Sequence, residues 1–226
     1  MTLSDSISRR VILLIAGSAL ALSACSGSEG GDTSAAPAGS NGKYTVADDY
    51  ILGKADAPVT VVEYASVACP GCAYWHQNVY PDLKTKYIDT GEVKYVFRPF
   101  PASNQEIATT GHKLALCGDR DKFFKNIKIQ FDRQSQIYDM GKRGQLRQAY
   151  VSLAKASGLS EDEFIACMTD PDITARYDAF TQLGIDQGVR GTPSIFVNGV
   201  RADKNDFEAL EAMITGKPAP EKADAE

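Results

Sequence analysis

Two cysteines, Cys69 and Cys72, enclose Pro70 and Gly71 just after a β-branched run, at the start of a stretch with helical spacing. On the first turn of a helix this spacing brings two sulfurs within bonding distance. It also places Cys69 where unpaired backbone N–H groups and the helix macrodipole favour a thiolate. A cysteine in such a place has its pKa lowered from about 8.5 to somewhere between about 3.5 and 7.5. Cys69 is therefore the candidate nucleophile, and Cys72, one turn in and more covered, the candidate resolving thiol. Their chemistry would be thiol–disulfide exchange. Pro70 suits the first turn, where its missing N–H would be unpaired anyway. Half a zinc site fits poorly, because zinc wants four ligands and the chain has only two histidines, His76 and His112, and no second CxxC. A purely structural disulfide fits poorly too, since so small a ring adds little loop-closure stabilisation.

The elements that must position this pair are legible around it. Val59 to Ala65 is a β-branched run with one charge, Glu63, which suits a buried parallel strand. A helix should follow from Pro70, with Pro81 kinking it or starting a second segment. Asp89–Glu92 reads as a turn and Val93–Arg98 as a second strand, ended by Pro99 and Pro101. From about Asn104 to Leu183 the spacing turns helical. Within that block Ser160 and Glu163 match a capping box, and Asp170-Pro171 reads as an N-cap followed by proline. After Gly191-Thr192-Pro193 a strand returns at Ser194–Val197, Asn198-Gly199 reads as a hairpin turn into Val200-Arg201, and Phe207, Leu210, Met213 and Ile214 mark a last amphipathic helix. The order is that of one sheet with a helical insertion between its halves.

Composition sets the outer bounds. Of the 226 residues, 43% are hydrophobic and 23% charged, which is enough apolar material to exclude a wholly disordered chain. The longest apolar stretch runs from Val11 to Ala24, short of the roughly 20 residues of a spanning helix. A net charge of −5 with no basic–aromatic cluster makes nucleic acid an unexpected partner. Arg9 and Arg10 followed by that apolar stretch form a secretory signal. Its end, Leu22-Ser23-Ala24-Cys25, resembles a bacterial lipobox, which implies cleavage before Cys25 and acylation of it. Ser8 to Leu13 also loosely resembles a twin-arginine signal. The Ser/Gly/Ala-rich stretch after Cys25 should behave as a flexible linker. Export sets the redox compartment, because thiols can stay oxidised outside the cytoplasm.

VVEYASVACPGCAYWH at 61–76, followed by VRGTPSIFVNG at 189–199, resembles the DsbA-like branch of the thioredoxin superfamily. The likeness covers 48–217 and implies an α/β thioredoxin fold with an inserted helical domain. On this reading the chain comprises a signal peptide at 1–24 and a lipid-anchored linker at 25–43. The thioredoxin domain follows at 44–103 and 185–217, with the helical insertion at 104–184 and a polar tail at 218–226. The resemblance makes Cys69 the nucleophile and Cys72 its partner, and it puts a cis-proline at Pro193, with Thr192 presenting backbone to a bound peptide. It also supports Glu63 as an acid that accepts or returns the proton of Cys72; the other reading is a strand-edge glutamate in water. His76, seven residues or about two helical turns after Cys69, reads either as a residue near the groove rim or as a plain surface residue, the second being favoured. Cys117 and Cys167 read either as buried free thiols or as a second, structural disulfide, which some relatives have. Strongly oxidising members carry histidine where this chain has Gly71, so a weaker oxidant is expected.

The resemblance implies no cofactor and no metal, because the cysteine pair carries the redox equivalents. It implies exported, unfolded or partly folded substrate proteins and a membrane redox partner that recycles the pair. With no dimerisation segment in view, a monomer is the default. The protein is then a periplasm-facing, lipid-anchored thiol-disulfide oxidoreductase of the cell envelope. Two other readings compete: a Cu(I)-binding chaperone using the same CxxC, and a catalytically silent thioredoxin-fold binding module.

Overall fold

The computed structural model describes residues 44–217. The signal at 1–24, Cys25 with its linker, and the tail from 218 lie outside the described residues. Strand β2 (Val59–Ala65) pairs in parallel with β3 (Val93–Pro99) and antiparallel with β4 (Ser194–Val197). The edges are β1 (Tyr50–Leu52), antiparallel to β3, and β5 (Val200–Arg201), antiparallel to β4, giving the order β1-β3-β2-β4-β5. β2 therefore lies at the centre of the sheet, which is why its valines run on with little interruption from polar residues. Asn198 and Gly199 turn β4 into β5 with φ of 48° and 80°, the left-handed pair that a two-residue hairpin needs.

Alternation along the strands divides the apolar residues between two faces. Val61, Tyr95, Phe97 and Ile195 pack in one core with Leu83, Phe123 and Phe131; Val62, Tyr64, Val96 and Phe196 pack in another with Val189. Helix α1 (Pro70–Asn78) leaves the end of β2 and α2 (Tyr80–Leu83) follows, with Pro81 starting this second segment. A π-helical stretch (Lys84–Ile88) then leads toward β3. Between β3 and β4 run α3 (Gln105–Leu116), α4 (Phe123–Asp132), α5 (Gln134–Lys142), α6 (Leu146–Ala156), α7 (Glu161–Thr169) and α8 (Pro171–Asp186). Ser160 and Glu163 form the capping box of α7, and Asp170 caps α8. This block has its own core of Leu114, Ile137, Tyr150, Leu153 and Phe164. Helix α9 (Phe207–Thr215) closes the described chain, its Leu210 fully buried in the first core. Arg98, itself buried, donates to both oxygens of Asp49 at 2.8 Å and to the Tyr64 hydroxyl at 2.7 Å, so its charge is matched inside the fold.

Candidate active site

Cys69 is the N-cap of α1, with an extended backbone (φ −85°, ψ 119°) and Pro70 at the first helical position. Its thiol faces the Thr192 carbonyl at 3.3 Å, and the Thr192–Pro193 peptide is cis. Cys72 lies one turn on and is completely enclosed, while Cys69 keeps 8% of its surface. Both are free thiols. The Cys69 pKa is lowered to about 5, chiefly by the hydrogen bond from the Cys72 thiol. Burial opposes this, and Thr192 with the amides of Cys72 and Gly71 adds to it. The expected leading influence was the start of the helix; the neighbouring thiol takes that part and the helix amides come after. Cys72 is pushed far the other way by burial, by its hydrogen bond to Cys69 and by the charge of Glu63. One sulfur is therefore ionised at neutral pH and its partner holds its proton, the division that exchange chemistry requires.

The cis-proline is held in place from α1. Asn205 donates its side-chain amide to the Pro193 carbonyl at 2.9 Å, and its own carbonyl accepts from the Trp75 indole at 2.7 Å. A groove opens beside this junction, lined by Gly71, Tyr74, Trp75, Pro193 and Phe207 among others. Tyr74 is 66% exposed on its rim, a large apolar ring presented to solvent.

Glu63 sits in the middle of β2 with no exposed surface. Its Oε2 is hydrogen-bonded to His76 Nε2 at 2.9 Å and accepts from the Tyr95 hydroxyl, while its Oε1 has no partner. His76 is thus not the surface residue its polarity suggested. Its side chain is 9% exposed and stacks on Phe131 with ring centroids 4.2 Å apart. The spacing held a signal, since residues four apart share a helix face and His76 follows Cys72 by four. Tyr95 had none, because only the register of β3 on β2 brings it to Glu63. Cys117 caps the C-terminus of α3 and is joined to Cys167 of α7 in a disulfide, Cα atoms 6.1 Å apart. The structure thus brings Cys69, Cys72, Glu63, Thr192 and Pro193 into one region and holds Cys117 and Cys167 apart from it.

A mixed sheet interrupted by helices, with a dithiol at a strand–helix junction opposite a cis-proline, defines a class of dithiol redox folds. A family model described as thioredoxin matches residues 45–215. The chain belongs to the thioredoxin family, in its DsbA-like branch. A Rickettsia bellii relative that carries a protein-disulfide oxidoreductase name is 35% identical over 170 residues, covering 74% of this chain and 63% of the relative. The chain therefore spans somewhat under two thirds of that relative's length. Disulfide bond formation protein D of Bacillus subtilis is 25% identical over 182 residues, covering 77% of this chain and 79% of that protein. The crystal structure of Wolbachia pipientis alpha-DsbA1 superposes with a TM-score of 0.67 at 27% identity, covering 76% of this chain and 92% of that one.

Proposed function

We propose that this protein is a thiol-disulfide oxidoreductase of the bacterial cell envelope. The observation that carries the proposal is the opposed pair of sulfurs: Cys69 ionised at neutral pH beside Thr192-Pro193, and Cys72 buried and protonated beneath it. In the reducing direction the Cys69 thiolate attacks a substrate disulfide, forms a mixed disulfide and expels one substrate thiolate. Cys72 then gives its proton to Glu63 and attacks the Cys69 sulfur. That closes the Cys69–Cys72 bond and expels the second substrate thiolate, so two electrons pass to the substrate. Run backwards, the same steps donate a disulfide, and Glu63 returns the proton to Cys72. Thr192 and Pro193 hold the substrate chain in a short strand-like pairing beside Cys69. The Cys117–Cys167 disulfide is structural. No cofactor enters, because the sulfurs carry the electrons.

The most acidic members of this chemistry bring the nucleophile to about 3.5. Cys69 at about 5 and the absence of a side chain at Gly71 favour a weaker oxidant. The substrates are exported proteins, unfolded or partly folded, and a membrane redox partner recycles the pair. The lipobox-like end of the signal supports a lipid anchor on Cys25, and the protein works as a monomer facing the periplasm.

Insulin reduction tests the activity, and trapping tests the route. Cys72→Ala should hold substrates as mixed disulfides on Cys69, and Cys69→Ala should hold none. A wild-type protein that neither reduces nor oxidises a model substrate would overturn the proposal. A potential as high as about −120 mV would overturn the weaker-oxidant part of it.

A further inference from the structure

The three residues before α1 have all six backbone groups paired, and four of the six find a partner in the helical block. Val67 N–H donates to His112 Nε2 at 3.2 Å, Ala68 N–H to Ser66 Oγ at 3.2 Å and Cys69 N–H to the Ser66 carbonyl at 3.0 Å. On the acceptor side, Gln134 donates its Nε2 to the carbonyls of Val67 at 2.8 Å and Cys69 at 3.1 Å, while the Tyr138 hydroxyl donates to the Ala68 carbonyl at 2.7 Å. Gln134 and Tyr138 belong to α5 and His112 to α3, so the insertion grips the very segment from which the nucleophile hangs. Gln134 is buried, and a buried side-chain amide placed on two carbonyls has a definite geometric task.

We propose that Gln134 and Tyr138 are positioning residues for Cys69, fixing the three peptide planes that precede α1 so that its sulfur stays over Cys72 and opposite Pro193. This rests on the exchange reading above. Cys69 must change sulfur partners during exchange, from Cys72 to substrate and back, while its backbone stays still. The bonds that α1 makes to Cys69 fall mainly on its sulfur, and its backbone is tied to the helix by a single bond, from Ala73 N–H to its carbonyl at 3.1 Å. The donors also act electrostatically. Each carbonyl oxygen at 67–69 places negative partial charge near a thiolate, and an N–H or O–H on that oxygen offsets it. Loss of position and loss of the donor both raise the Cys69 pKa, so the two effects share a sign.

The test uses Gln134→Met, which keeps length and apolar volume without a donor, and Tyr138→Phe, which removes one hydroxyl. Both are read by the pH midpoint of Cys69 alkylation and by Tm in the full reduced protein. The midpoint should rise by about half a pH unit or more in Gln134→Met, by less in Tyr138→Phe, and furthest in the double variant. A purely structural role would lower Tm and leave the midpoint within about 0.2 units of wild type, and that result overturns the proposal. Should Gln134→Met fail to fold, Tyr138→Phe decides by the same criterion. A wild-type midpoint in the ordinary cysteine range sinks the exchange reading instead, and that is seen before any variant is made.

Discussion

At Gly71 there is room for a side chain. A Cβ there would stand 3.7 Å from Cys69 Sγ and 3.7 Å from Pro193 Cδ, ordinary contact distances. Gly71→His should therefore fold normally and set an imidazole beside the thiolate. The alkylation midpoint of Cys69 should fall below the wild-type value and the reduction potential should rise, as equilibration against glutathione would register. Glu63→Gln keeps the shape of the cluster with His76 and Tyr95 and removes the proton acceptor. Resolution by Cys72 should slow by at least about tenfold, so that mixed disulfides accumulate in quenched-flow samples. First attack by Cys69 should be nearly unchanged. The motif made Cys69 and Cys72 legible from sequence, because two thiols one turn apart at a helix start carry their own geometry. His76 was misplaced for a physical reason: whether it meets water depends on α4 laying Phe131 over its ring, and a residue 55 positions away does not announce that.

Among the elements, helices with capped ends or a regular apolar spacing could be read from the chain, and segments that exist through pairing or packing alone could not. Ser160 with Glu163, and Asp170 with Pro171, mark the starts of α7 and α8 because their side chains take up N–H groups the helix leaves free. β1 left no such mark. Its three residues are strand only because β3 offers an edge to pair with. The π-helical turn at Lys84–Ile88 likewise follows from how the chain packs between α2 and β3. The disulfide between α3 and α7 belongs to this scale, closing a separation of 50 residues. Replacing both Cys117 and Cys167 by alanine should lower stability by about 2–4 kcal/mol in urea titrations. Insulin reduction at a temperature where the variant stays folded should remain within about twofold of wild type, because neither residue touches the Cys69–Cys72 region.

Over the whole molecule, acid should act through a group buried where the helical block meets the sheet end. His112 has no exposed surface, and burial lowers its pKa from 6.5 to about 3. Its Nε2 accepts from Val67, so the fold needs the neutral ring. The unfolded chain takes up a proton as pH falls through about 6.5, and the folded chain does not until about 3. The stability tied to His112 is thus complete above about 6.5 and is lost progressively below it. Urea midpoints should drop between pH 7 and pH 4 by more in wild type than in His112→Gln, where the acceptor no longer titrates. The overall plan, a sheet split by a helical insertion, was legible because strand and helix periods alternate cleanly along the chain. The meeting of its parts at Val67–Cys69 was not, since it depends on polar side chains reaching across. The most direct test of the whole account is the ultraviolet thiolate titration of the intact reduced protein, with Cys69→Ser as the blank. A single thiolate should appear with a midpoint near 5 and vanish in the variant. A midpoint at about 8 to 9 would contradict the account, because Cys69 would then be an ordinary thiol.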